Sequence, residues 1–76
     1  MKKDLLKNAG YRYDFERMLY FNRRDKKAFS IEYVDDHNED DLEKRIREEA
    51  GNNGWHFYFN APPSDAVKRE LERALG

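Results

Sequence analysis

Five consecutive ring-bearing residues at positions 55–59 constrain the fold more than any other stretch of the chain. Trp55, Phe57 and Phe59 alternate with His56 and Tyr58, which is the period-two pattern of a half-buried β-strand. Three large aromatic side chains on one face of a strand can anchor much of a small core. We therefore expect these three to pack beneath helices as core and not to form a ligand cage.

Two further β-like runs precede this strand. Residues 11–21 alternate, with 17–21 as the surer part, and residues 28–34 alternate cleanly. The polar stretch 22–27 between them predicts a hairpin loop. Arg17 interrupts the apolar face of the first run, so we expect it at the rim of the sheet, paired with a carboxylate of a helix, with a bulge as the alternative.

Helix signals occur at three places. Residues 4–9 predict a short helix that ends before Gly10, with a frayed terminus as the alternative. Asn38 precedes three acidic residues and an apolar stripe at 42, 46 and 50, which predicts a capped helix that ends in the Gly and Asn residues at 51–54. Ser64 follows two prolines and starts a last helix, whose buried stripe we expect to be Val67, Leu71, Ala74 and Leu75.

These elements predict an α+β fold with ββαβα order in a single domain over residues 1–76, with residues 1–10 as a short helix or frayed. A right-handed crossover makes the third strand parallel to the second. We favour a three-stranded, mainly antiparallel sheet of order 2-1-3, with two helices packed on one face. Order 1-2-3, with one parallel pair, is the alternative.

Composition narrows the functional classes. The chain has no cysteine, which excludes disulfides and thiolate metal sites, and no apolar run approaches the length of a membrane span. We expect a cytoplasmic protein that does not contact a membrane. The 15 basic and 16 acidic residues give a net charge of −1, which is poor support for a general nucleic-acid binder.

The sequence gives little support for a catalytic or a metal site. The acidic run 35–41 includes His37 but lacks the glycine and the alternate spacing of a calcium loop, and two histidines without cysteine do not make a zinc site. His56 beside Glu32 could be drawn as a base with its orienting group, but no Ser or Cys nucleophile and no phosphate-binding glycine loop accompany them. We expect no metal, no cofactor and no enzymatic activity.

Two surfaces remain as candidates for binding. One is the basic hairpin around residues 23–27, and the other is the uncovered face of the predicted sheet, where tyrosine and histidine lie among polar groups. The binding residues of this hypothesis are Tyr20, Arg23, Arg24, Lys26, Lys27, Glu32, His56 and Tyr58. We expect a non-catalytic interaction module for a protein partner or for self-association as monomer or homodimer. The alternative is a nucleic-acid-binding domain in which the hairpin cations hold phosphates and Tyr20 and Tyr58 stack on bases.

Overall fold

The computed structural model describes residues 1–49 and 54–76, and within them one four-stranded mixed sheet and four helices. In chain order the elements are α1 (Lys2–Asn8), β1 (Arg12–Asp14), β2 (Leu19–Asn22), β3 (Lys27–Ser30), α2 (Ile31–Asp36), α3 (Glu39–Arg47), β4 (His56–Tyr58) and α4 (Asp65–Leu75). The α+β class is confirmed, and so is the short helix at the start. The predicted three strands and two main helices are too few.

The sheet has the order β1-β2-β3-β4. The first three strands are antiparallel to their neighbours, and β4 is parallel to β3. The favoured order 2-1-3 is therefore wrong. The alternative order 1-2-3, with one parallel pair, describes the arrangement of β2, β3 and β4 correctly. The physical reason is that β1 already occupies the far edge of β2, so the chain that returns through α2 and α3 can pair only with β3.

Residues 11–21 form two strands and not one. The carboxylate of Asp14 accepts hydrogen bonds from the backbone N–H of Glu16 (3.0 Å) and of Arg17 (3.1 Å), and the Arg17 guanidinium lies 2.9 Å from the same carboxylate. Met18 then adopts a left-handed backbone, with φ 54°. These contacts close a tight turn between β1 and β2. Arg17 thus lies in a turn, and its partner is the preceding strand and not a helix, which corrects the prediction.

The second predicted strand, 28–34, is also divided. Its first half belongs to β3, but Ser30 ends the strand because its hydroxyl accepts a hydrogen bond from the Tyr33 N–H (3.1 Å), as an N-cap does. The following residues form α2, which places Val34 in the core. The apolar alternation of this stretch fits a short helix as well as a strand, so the alternation alone could not separate them.

Several local predictions are confirmed. The side chains of Asn38 and Ser64 accept hydrogen bonds from the N–H three residues later, at 2.9 and 3.3 Å, and so cap α3 and α4. Gly10 follows α1 with φ +94°, a left-handed conformation that favours glycine. Helix α3 ends at Arg47. The last position of its predicted stripe and most of its predicted end, residues 50–53, lie outside the described residues.

Both faces of the sheet are covered by helices. Neighbouring residues of a strand point to opposite faces, so Tyr20, Phe29 and Tyr58, which pair across β2, β3 and β4, share one face. There they form a core with Leu6 of α1, Val34 of α2 and Leu42 of α3. The face predicted to be uncovered is therefore the larger core.

The opposite face packs against α4. Leu19 and Ala28 are buried there with Leu75, and the aromatic residues 55, 57 and 59 pack around them while keeping partial exposure. The prediction that both main helices lie on one face is wrong, because the sheet carries large apolar side chains on both of its faces and each face needs its own cover. The aromatic stripe is core, as predicted, but it lies under one helix.

Candidate functional site

The structure removes Tyr20 and Tyr58 from the predicted open surface. Tyr20 is only 8% exposed, and Tyr58 is partly buried, with its ring stacked on Phe29 at 4.6 Å between centroids. Both tyrosines have a raised pKa, chiefly because burial disfavours the phenolate. Both tyrosines stabilise the core. A nucleic-acid base could stack on Tyr20 only if the core opened.

Lys27 is buried as well, and it caps a helix. Its ammonium donates hydrogen bonds to the backbone carbonyls of Arg45 (2.8 Å), Ile46 (2.9 Å) and Glu48 at the end of α3. A cation is stabilised at that end because the last carbonyls carry the negative end of the helix dipole. Burial lowers the pKa of Lys27, an effect that the carboxylates of Asp25 and Glu48 oppose. Lys27 is therefore a structural residue of the hairpin and not a contact for a ligand.

Glu32 and His56 do not form a pair. Glu32 is exposed on α2, whereas His56 lies partly buried on β4 opposite Lys27. In the described part of the chain no hydrogen bond joins the two side chains. The juxtaposition assumed that residues 28–34 were one strand, and the helix that starts after Ser30 moves Glu32 away from the sheet.

The three remaining predicted residues, Arg23, Arg24 and Lys26, lie exposed in the turn between β2 and β3. Arg23 donates from Nε to the carbonyl oxygen of Leu75 (2.6 Å), and its guanidinium carbon lies 5.7 Å from the centre of the Phe21 ring. Its guanidinium is thus held between the turn and the end of α4. The basic hairpin keeps its place at the surface, with one of its four predicted cations buried.

The structure joins this hairpin to a groove that the sequence reasoning missed. A groove of about 610 Å³ lies between α1 and the β1–β2 hairpin. Lys3 and Lys7 of α1 and Arg12 of β1 line it, together with one carboxylate, Asp4. The side chains of Tyr11, Tyr13, Tyr20 and Ile31 supply its apolar surface. We call it the α1–β1 groove.

A smaller cavity of about 270 Å³ adjoins this groove at the hairpin end. Its lining includes Arg12, Arg23 and Arg24, with Gly10 and Asn22 beside them, and none of its lining residues is acidic. We call it the arginine pocket. Arg12 lines both the pocket and the groove, so the two meet at this residue of the edge strand β1.

Exposed aromatic and apolar side chains continue the surface at the β1–β2 turn. Phe15 is 82% exposed, Met18 54% and Tyr13 40%. Tyr13 packs on Tyr20 with ring centres 4.8 Å apart, and Phe15 meets Tyr13 edge-on at 6.5 Å. Asp14 fixes the turn through the hydrogen bonds described above. The aromatic rings are therefore presented on a well-ordered hairpin beside the basic groove.

The charge of the chain is strongly polarised. Residues 1–27 contain nine Lys and Arg against four Asp and Glu, a net charge of +5, whereas residues 28–49 contain three against nine, a net charge of −6. The balanced total hides this division, and a sum over segments would have revealed it. Five of the nine cations of the first segment line the groove or the pocket: Lys3, Lys7, Arg12, Arg23 and Arg24.

Residues 1–49 and 54–76 contain no metal-binding cluster and no membrane-spanning helix. No three His, Asp or Glu side chains converge there to hold a metal ion. Among the helices of that part, none is long and apolar enough to cross a membrane. Comparison of the chain with models of known protein families, with curated proteins and with solved structures finds no match.

Proposed function

We propose that this chain is a small non-catalytic module that binds single-stranded nucleic acid along the α1–β1 groove. The observation that carries the proposal is the meeting of three exposed cations, Lys3, Lys7 and Arg12, with the exposed rings of Tyr13 and Phe15. Proteins that hold single strands combine a positively charged groove for the backbone with aromatic side chains on which bases stack.

The positions of the two kinds of side chain support a single strand over a duplex. Phe15 is largely exposed and Tyr13 is 40% exposed beside it, and such rings can stack only with bases that are not already stacked in a helix. The cations lie beside them on α1 and β1, where they can contact the phosphates of the same strand. Helix α1 has seven residues, and two of its cations, Lys3 and Lys7, line the α1–β1 groove.

A protein partner is the second candidate, and one observation favours it. Phe15 and Met18 are both more than half exposed on an ordered turn, which is how an apolar anchor is presented to a pocket on a partner. The predicted open sheet face no longer supports this function, since α1, α2 and α3 cover it. A partner bound through the turn would depend on Phe15 but only weakly on salt.

Binding of a fluorescent, mixed-sequence oligonucleotide of about 12 nucleotides tests the proposal. Three phosphate contacts on a single strand should weaken affinity about 20-fold between about 50 and about 200 mM salt. The double variant Lys7→Gln/Arg12→Gln should bind more weakly and show a shallower salt slope. Lys68→Gln/Arg69→Gln makes the same change of charge on α4, at the other face of the sheet, and is the matched control.

Phe15→Ala tests the stacking contribution separately. Loss of one stacked base costs about 1–3 kcal/mol, so affinity should fall by about 5-fold to about 150-fold. The fold should be almost unaffected because Phe15 is largely exposed. Absence of binding at low salt, or equal losses in the groove variant and the α4 control, would show that the groove does not bind nucleic acid.

A further inference from the structure

The arginine pocket differs from the groove in its charge and its rigidity. Arg12 lines it from β1, and Arg23 and Arg24 line it from the β2–β3 turn, so three arginines from two elements share one cavity of about 270 Å³. Arg24 pairs with Asp25 at 3.3 Å, at the exposed rim. Within the described residues, no carboxylate lies within ion-pair distance of Arg12 or Arg23. The pocket therefore holds concentrated positive charge, of which the chain pairs only that of Arg24 with a carboxylate.

Part of the pocket wall is fixed without a ligand. Asn22 is 4% exposed; its Nδ2 donates to the Ala9 carbonyl (3.2 Å) and its Oδ1 accepts from the Asp25 N–H (3.1 Å), which holds the turn against the end of α1. The contact of Arg23 Nε with the Leu75 carbonyl orients its guanidinium. Contacts to Asn22 and Arg23 therefore lose less conformational entropy on binding than contacts to unrestrained side chains would.

Gly10 leaves space in the pocket because it has no side chain. A Cβ at this position would lie 3.3 Å from Asn22 Nδ2 and 4.0 Å from Arg24 Nη2. The glycine therefore lets a ligand approach the polar groups of the turn as well as permitting the positive φ that ends α1. A side chain here would fill the space between α1 and the arginines.

Three guanidinium groups around one cavity fit a phosphate monoester better than a diester. A monoester carries nearly two negative charges above its second pKa of about 6, whereas a phosphodiester carries one. The planar guanidinium also matches a phosphate with two parallel hydrogen bonds. In a nucleic acid, monoesters occur only at the ends of a strand.

We propose that the arginine pocket binds the terminal phosphate of a nucleic-acid strand whose backbone continues into the α1–β1 groove. This inference rests on the proposed function, and Arg12 provides the structural link because it lines both spaces. The pocket would place the end of the strand at the β2–β3 turn and direct the following nucleotides toward Tyr13 and Phe15.

Three oligonucleotides of identical sequence test this inference, with a 5′-phosphate, a 3′-phosphate or hydroxyls at both ends, and with the label at an internal position. One phosphorylated end should bind at least about 10-fold tighter than the hydroxyl form at neutral pH, and this gain should shrink at a pH of about 5.5 as the phosphate takes up a proton. Arg24→Gln should lose the preference and keep hydroxyl-end binding. Lys26→Gln removes the same charge one step outside the pocket and should keep the preference.

The outcomes separate the two proposals. Equal affinity for all three oligonucleotides would overturn the end-recognition inference and leave groove binding intact. Failure of all three to bind would overturn both. If inorganic phosphate shifts the amide resonances of Gly10 and Arg24 in an NMR titration while the oligonucleotides bind equally, the pocket binds free phosphate only, and the inference is also overturned. An end preference that survives in Arg24→Gln would place the recognition elsewhere and reject the pocket.

Discussion

Replacing Lys27 by methionine should destabilise the fold by about 2–4 kcal/mol. Methionine keeps most of the length of the buried side chain but cannot donate a hydrogen bond. The carbonyls of Arg45, Ile46 and Glu48 would then lose their common donor at the end of α3. The change therefore tests whether one buried ammonium holds α3 to the sheet.

The expected loss of stability follows from three hydrogen bonds and from the access of water to the helix end. A hydrogen bond to a charged group contributes about 1.5–3 kcal/mol, and three such bonds set an upper limit well above the expected loss. Arg45 and Glu48 are exposed residues, so water can replace the donor at part of this helix end. The remaining loss corresponds to a fall of about 10–25 °C in Tm for a domain of this size.

Thermal and denaturant-induced unfolding, followed by circular dichroism, measure the effect. Lys26→Met is the matched control: it makes the same chemical change on the neighbouring residue, which is exposed. Both side chains at position 26 must accept the same positive φ of 53°, so backbone strain does not differ. We expect the control to lie within about 0.5 kcal/mol of the wild type. A Lys27→Met variant as stable as the wild type would refute the reasoning, because desolvation of the ammonium would then outweigh its hydrogen bonds.

The pH dependence gives a second measurement on the same pair of proteins. Burial lowers the pKa of Lys27 below its ordinary value of 10.5. Between the lowered value and 10.5, the unfolded chain binds more protons than the folded one, so the stability of the wild type should rise with pH relative to Lys27→Met. Groups that are common to both proteins cancel in the difference. A gap that narrows as the solution becomes alkaline would contradict the assigned shift.

Two further substitutions test buried and hydrogen-bonded groups. The Tyr11 hydroxyl is buried and has no hydrogen-bond partner in the described part of the chain, so Tyr11→Phe should leave the free energy of unfolding unchanged or raise it by about 1 kcal/mol; a clear loss would reveal a missed partner. Burial acts to raise the pKa of Asp14, but hydrogen bonds from the Arg17 side chain and backbone outweigh it and lower the pKa from 3.8. The stability that this carboxylate adds should be present above that value and disappear as the pH falls through the lowered one, so the Tm difference from Asp14→Asn should close in acid; a constant difference would count against the shift.

Local signals in the sequence were sufficient for helix ends and for one hairpin. Asn38, Ser64 and Gly10 mark helix ends because each acts through its own side chain or backbone on residues at most a few positions away. The polar turn at 23–26, within the predicted loop 22–27, separates β2 from β3 for the same reason. These features require no knowledge of distant parts of the chain, and the three residues at helix ends act where they were predicted, whereas α3 ends at Arg47, earlier than predicted.

Local signals gave wrong predictions where one sequence pattern is compatible both with a strand and with a turn or helix cap. Residues 11–21 alternate along their whole length, but the carboxylate of Asp14 can close a turn, and the closed turn makes two strands. Ser30 acts in a similar way after β3. A short polar side chain is compatible with a strand and with a turn or cap, and only the surrounding contacts select between them.

The sequence by itself thus determined the α+β class, the principal helix starts and the aromatic core strand, because these follow from periodicity and from neighbouring residues. Only the tertiary structure decided which face of the sheet each helix covers, where β4 pairs and which cations share a surface. Alternation tells which side chains share a face but not what covers that face. The groove and the arginine pocket depend on that choice, since they form where α1, β1 and a turn from later in the chain come together.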